Sequence, residues 1–214
     1  MNTHSREMTR TAPKGRKVEQ VLRGAQDVFM TEGYEGANVD AIAKAAGVSK
    51  ATLYSYFPDK RALFAAVAQA ACEEQTRLAL SFADEDGPFS EQLYKGCRSF
   101  MEFMYSPFGL QMYRTVIAES ARFPEFGRAF WATGPAMAHA EMVELFKEAV
   151  EKDCLKPIDD FELAAETLTE LCNVQLHARL LLGVVDKVDD AELDRIAKHA
   201  IEVFMARYGT SKQC

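Results

Sequence analysis

Residues 38–57, NVDAIAKAAGVSKATLYSYF, constrain this chain more than any other stretch. Two short apolar-periodic runs are joined by Ala46-Gly47-Val48-Ser49, which leaves room only for a tight turn. Asn38 and Ser49 stand where N-caps are needed, each with a side-chain oxygen for the free N–H groups of a helix start. Gly47 permits the turn, and Pro58 closes the second run because the residue before proline disfavours helical geometry. The spacing therefore predicts helices from about Val39 to Ala46 and from about Lys50 to Phe57, a helix-turn-helix. Val39, Ile42, Ala43 and Ala46 face inward, and the small Ala43 allows a close approach. Val48 plugs the gap between the helices, and Ile42, Leu53 and Phe57 bury against a preceding helix. Lys50, Ala51, Thr52, Tyr54, Ser55 and Tyr56 are left pointing outward. That face carries a cation, hydroxyls and aromatics but no acid, so it can donate to phosphates and base edges and touch thymine methyls.

The rest of the chain reads as helix. From Arg16, apolar residues at Val18, Val21, Leu22, Ala25, Val28 and Phe29 make one stripe, which Gly33 stops. A fourth helix covers about 59–82, and DEDGP at 84–88 breaks the chain. Further helices are expected at about 89–105, 109–121, 124–152 (bent near Gly134-Pro135), 161–182 and 190–208. No strand-like alternation occurs. The expected fold is all-α, with about nine helices. Residues 1–15 read as a flexible basic arm, 16–62 as a helix-turn-helix DNA-binding domain, and 63–214 as a ligand-binding and dimerisation domain.

Charge supports that division. The net charge is −7, but residues 1–61 hold ten Lys and Arg against seven Asp and Glu, and the remainder fifteen against twenty-five. A basic head on an acidic body can approach phosphates while staying soluble. The five cysteines (72, 97, 154, 172 and 214) are scattered without metal-ligand spacing. They read as reduced thiols acting as small core residues, with an oxidant sensor as the sharper alternative; no metal or cofactor is expected. The polar start resembles no secretory signal, and no apolar run is long enough to span a bilayer, so a cytoplasmic location is expected. HExxH, GxSxG and P-loop patterns are absent, which argues against an enzyme.

The segment from the second helix through YSYFPDKRALF (54–64) resembles the DNA-binding region of TetR/AcrR regulators. The matching residues are Ile42-Ala43, Ala46-Gly47-Val48-Ser49, Leu53-Tyr54, Phe57 and Lys60. The resemblance implies that Tyr54 and Lys60 touch phosphates, that Lys50, Ala51 and Thr52 read the major groove, and that Asn38 presents backbone N–H groups to a phosphate. The expected DNA-contacting set is Asn38, Ser49, Lys50, Ala51, Thr52, Tyr54, Ser55, Tyr56 and Lys60. Tyr56 departs from the family, where His is common. The partners implied are double-stranded operator DNA and a second copy of the chain. Readers of this kind bind half-sites as homodimers, and helices 161–182 and 190–208 have the apolar faces to pair.

The stretch RTVIAESARFPEFGRAFW (114–131) resembles the C-terminal domain of AcrR-like regulators. Its surroundings are rich in large, adaptable apolar groups, as expected of a pocket for a small-molecule inducer. The candidate ligand residues are Phe100, Phe103, Met104, Met112, Tyr113, Phe130, Trp131, Met137 and His177. Arg114, Glu119, His139 and Arg179 are further polar groups on apolar helices. The expected function is a repressor released from its operator by an apolar or amphipathic ligand. A helix-turn-helix activator, a ligand-independent regulator and a helical enzyme are the alternatives.

Overall fold

The computed structural model describes residues 13–211 of the 214-residue chain. Most of the arm expected at 1–15 lies outside the described residues, as does Cys214. Two compact units divide between Val67 and Ala68.

The first unit begins with α1 (Pro13–Gly36), whose helical geometry is interrupted at Gly33, where φ is +73°. α2 (Val39–Ala45) and α3 (Lys50–Tyr56) follow, and the first turns of α4 (Lys60–Ser81) complete the unit. Both predicted caps form. Asn38 Oδ1 accepts from the Ala41 N–H at 2.8 Å, and Ser49 Oγ from the Thr52 N–H at 3.1 Å. Gly47 takes φ +61°, a left-handed conformation that a side chain would strain. Val21, Ala25, Phe29, Ile42, Leu53, Leu63 and Phe64 fill the interior. Phe64 meets the rings of Phe29 and Tyr34 edge-on, each at 5.1 Å between centroids. Gly24 sets the spacing of α1 and α2, since a Cβ there would lie 2.5 Å from the Ala46 nitrogen.

The second unit contains the rest of α4, a 3₁₀ turn at Phe82–Asp84, and seven further helices. These are α5 (Phe89–Met104), α6 (Pro107–Ser120), α7 (Pro124–Thr133), α8 (Pro135–Glu151), α9 (Phe161–Asn173), α10 (Leu176–Leu181) and α11 (Asp190–Tyr208). Eleven α-helices are thus present among the described residues rather than nine, because two expected helices are each broken in two. At Gly134-Pro135 the chain does not merely bend: Gly134 leaves helical geometry altogether, at φ −119°, ψ −91°. Between α9 and α10, Val174 and Gln175 take φ of +26° and +64°. Positive φ in a β-branched residue is strained, at a cost of about 1–3 kcal/mol, and survives only when its surroundings enforce it. Here Leu176 and Leu180 are buried on one side of the break. Arg114 clamps α10 by donating to the Leu180 carbonyl at 2.6 Å, and Tyr105 Oη donates to the Cys172 carbonyl at 3.1 Å on α9. Arg114 is therefore a fastening of the fold.

Met101, Phe146, Leu168, Leu180, Ala197 and Phe204 centre the core of this unit. α11 packs along α5 and α9, with Phe204 at 4.9 Å from Phe146. Polar ties hold α11 to α5: Tyr94 donates to Asp194, and Arg98 Nη2 lies 2.6 Å from Asp190. Cys154 is disulfide-bonded, which corrects the expectation of reduced thiols at that position. Cys72, Cys97 and Cys172 are free.

Candidate nucleic-acid interface and ligand cavity

α3 buries one side and presents the other. Leu53 is 1% exposed, whereas the adjacent Tyr54 is 51% exposed. Lys50, Ala51 and Ser55 are also exposed, and Thr52 and Tyr56 half-buried. The sequence pattern did not reveal how far this face is already engaged. Lys50 pairs with Asp40 on α2, an acid beside the expected interface. Ser49 Oγ lies 2.8 Å from Thr52 Oγ1, and Ser55 Oγ donates to the Thr52 carbonyl at 2.7 Å. The two serine hydroxyls thus serve the helix first, while Tyr54 and the Lys50 stem remain the accessible groups.

Lys60, expected at a phosphate, also has a place in the fold of the head. Its ammonium donates to the carbonyls of Tyr34 at 2.7 Å, and of Glu35 and Ala37 at 3.3 Å each. It also sits 4.6 Å from the Tyr34 ring centroid. A cation on the free carbonyls at a helix end is a C-terminal cap and is favoured by the helix dipole. Lys60→Ala is expected to lower the stability of the first unit by about 1–2 kcal/mol. Thermal unfolding checks this, and an unchanged midpoint would show that the cap adds nothing to the stability of the head.

The second unit contains a partly open cavity of about 250 Å³. Of the nine sequence-based ligand candidates, Phe100, Phe103, Met104, Met112, Tyr113, Phe130, Trp131 and His177 line it. Met137 does not. Pro135, Ala138, His139, Met142 and Leu145 form the α8 wall, and Met137 is rotated off that face by the 100° step of the helix. Sequence reasoning missed the α4 wall of Cys72, Gln75, Thr76 and Ala79, whose small side chains look like an ordinary helix stripe, and the α9 wall of Thr169 and Asn173.

Most polar groups on the wall are already engaged. Gln75 donates to Ser99 at 3.0 Å, His139 Nε2 lies 3.3 Å from Thr169 Oγ1, and Asn173 donates to Glu170 at 3.3 Å. His177 Nε2 is buried with no hydrogen-bond partner. Burial holds the His177 pKa below its usual value, partly offset by the nearby Glu170 charge. Three thiols also line the cavity. Burial pushes Cys72 up to about 11, and the hydrogen bond with Cys172, followed by burial, holds Cys97 well above its ordinary value. Both stay protonated near neutrality, which makes them poor nucleophiles. No group of three or more potential metal ligands occurs among the described residues.

Residues 21–67 match the family described as bacterial regulatory proteins, tetR family, and residues 91–210 match the AefR-like transcriptional repressor C-terminal domain. Over 57 residues the chain is similar to the HTH-type transcriptional activator FasR of Mycolicibacterium smegmatis, at 44% identity. That match covers 27% of this chain and only 26% of FasR, so the chain matches about a quarter of that curated relative's length. The whole fold is similar to a TetR-family regulator from Mesorhizobium loti, at TM-score 0.83 and 26% identity, covering 93% of this chain and 100% of that one. It is also similar to the Flavonoid-responsive Regulator FrrA, at 31% identity and TM-score 0.66, covering 92% of this chain and 100% of that one.

Proposed function

The chain belongs to the TetR family of transcriptional regulators, with an AefR-like C-terminal domain, and from that premise we propose that it is a homodimeric repressor released from its operator by a small molecule. The family is one of DNA-binding regulators and not of enzymes. The observation that carries the reading is the face of α3: Leu53 is locked into the head while the adjacent Tyr54 stands exposed, beside an exposed Lys50 whose ammonium is paired with Asp40 of α2. No helix of the described residues is long and apolar enough to cross a membrane.

In this reading α3 enters the major groove, where Thr52 and Ala51 meet base edges and Tyr54 donates to a phosphate. Lys50 exchanges Asp40 for DNA. The dimer forms through α9, α11 and the segment after α10, where Leu163, Val203, Leu182 and Val184 are exposed. The body cavity takes the inducer, and α4, whose residues line that cavity, transmits its occupancy to the heads. The ligand must then bind the DNA-incompetent shape more tightly, and the coupling free energy equals that difference. FrrA, by its description, responds to a flavonoid, a precedent for a compact inducer here. The AefR-like match favours repression, although FasR is described as an activator.

Titration of labelled promoter fragments tests the core of this proposal, with specific, salt-sensitive binding as the expected result. Tyr54→Ala is expected to weaken binding by a similar factor on every DNA. Thr52→Ala is expected to shift preference at one base position by about 1–3 kcal/mol. A purified dimer with no sequence preference would overturn the regulatory reading.

A further inference from the structure

We propose that the body cavity takes an uncharged, hydroxylated aromatic ligand, with its hydroxyl paired to His177 Nε2 and its rings among Phe100, Phe103, Tyr113, Phe130 and Trp131. The inference rests on the cavity being the inducer site and adds the chemistry that the site selects.

Among the described residues lining the cavity there is no lysine or arginine, and Glu170 is the sole acid. A carboxylate or phosphate entering such a space loses its hydration, gains no cation and meets a like charge. Anionic ligands are therefore disfavoured.

Shape and surface come next. A volume of about 250 Å³ lies just below the ~300–1,000 Å³ usual for small-molecule sites, which limits the occupant to a small molecule. The walls offer ring faces and edges at several angles. The Tyr113 ring stands 4.6 Å from that of His177 and 6.3 Å from that of Phe130, and Trp131 lies 6.3 Å from His139. Aromatic groups in such positions favour offset and edge-to-face contacts with another ring.

The polar requirement is specific. Gln75, His139 and Asn173 already have partners, and Gln92 donates to the Glu85 carbonyl at 2.7 Å. His177 lines the cavity, and its Nε2 is a buried nitrogen without a partner, closed off in this conformation, so that a turn of the ring presents it to a ligand. A buried polar atom without a partner is costly, so a ligand that satisfies it gains more than the bond alone. A neutral imidazole nitrogen either donates or accepts, according to tautomer. A hydroxyl matches both states, whereas an ether or a carbonyl only accepts.

Three probes on one ring system separate these requirements: 2-naphthol, naphthalene and 2-naphthoate. Calorimetric titration of the full-length protein is expected to rank 2-naphthol first. Naphthalene should bind about 3–10-fold more weakly for want of the hydrogen bond. 2-Naphthoate should be at least about tenfold weaker, because its charge is desolvated without a partner. His177→Phe should abolish the preference for 2-naphthol over naphthalene. His177→Gln, which keeps a polar group there, should retain part of it and guards against misfolding of the first variant. Equal binding of 2-naphthoate and 2-naphthol would overturn the inference, as would an unchanged preference in both folded variants or no binding of any probe. If 2-naphthol binds as expected but leaves operator affinity unchanged, the ligand chemistry stands and the inducer role falls.

Discussion

Gly24→Ala is expected to destabilise the head by about 1–3 kcal/mol, reversing the sign that such a change usually has inside a helix. Alanine ordinarily gains about 1 kcal/mol over glycine at an interior helical position. At Gly24 the added methyl would sit 2.5 Å from the Ala46 nitrogen and 2.7 Å from its Cα. Those are backbone atoms at the start of the turn between α2 and α3, so no rotamer change relieves the contact. α2 must move away from α1, and the reading helix moves with it. Operator affinity is expected to fall at least tenfold. Hydrogen exchange should accelerate across residues 13–67 and stay unchanged in the second unit, which has its own core. A raised melting temperature with intact DNA binding would show that the close approach of α1 and α2 does not set the geometry of the head.

The head was legible because its signals are local. Asn38, Gly47, Ser49 and Pro58 each act within a few residues, and the helix boundaries agree with those caps to within a residue or so. α11 was legible for the same reason, since Asp189 caps it and an apolar stripe runs its length. The break at Val174-Gln175 carried no such mark. Neither residue is glycine or proline, and the segments on either side of the break are held at Cys172 and Leu180 by Tyr105 and Arg114, 67 and 66 residues away in sequence. A one-dimensional stripe cannot register a constraint of that kind.

The ligand candidates divide along the same line. Large aromatics announced the cavity, and most of those named from sequence line it. Met137 was grouped with them on chemistry alone and falls one helical step from the wall. Cys72 and the small residues of α4 were invisible because nothing in their own neighbourhood distinguishes a cavity wall from a packed face. Lys60 shows the opposite limit. Its position in a motif spoke for a phosphate contact, and the motif gave no sign that three carbonyls at the end of α1 also hold its ammonium.

Phe204→Ala is expected to cost the second unit about 3–5 kcal/mol, a large share of the roughly 5–15 kcal/mol that keeps a typical domain folded. Phe204 is 1% exposed and its ring lies 4.9 Å from both Phe146 and Tyr208. α8, α9 and α11 converge there, so the void cannot close without shifting a helix. Since α11 also carries the proposed dimer face, subunit association should weaken with the fold, and the unfolding midpoint should depend more steeply on protein concentration. Leu182→Asp provides the contrast. Leu182 is 79% exposed, and its replacement leaves the core untouched while placing a charge on the proposed subunit contact. Sedimentation should then show folded monomers with weakened operator binding, because one head alone spans a single half-site. A Leu182→Asp protein that remains dimeric would move the interface elsewhere, and a Phe204→Ala protein that melts unchanged would mean that α11 is not anchored where its buried ring places it.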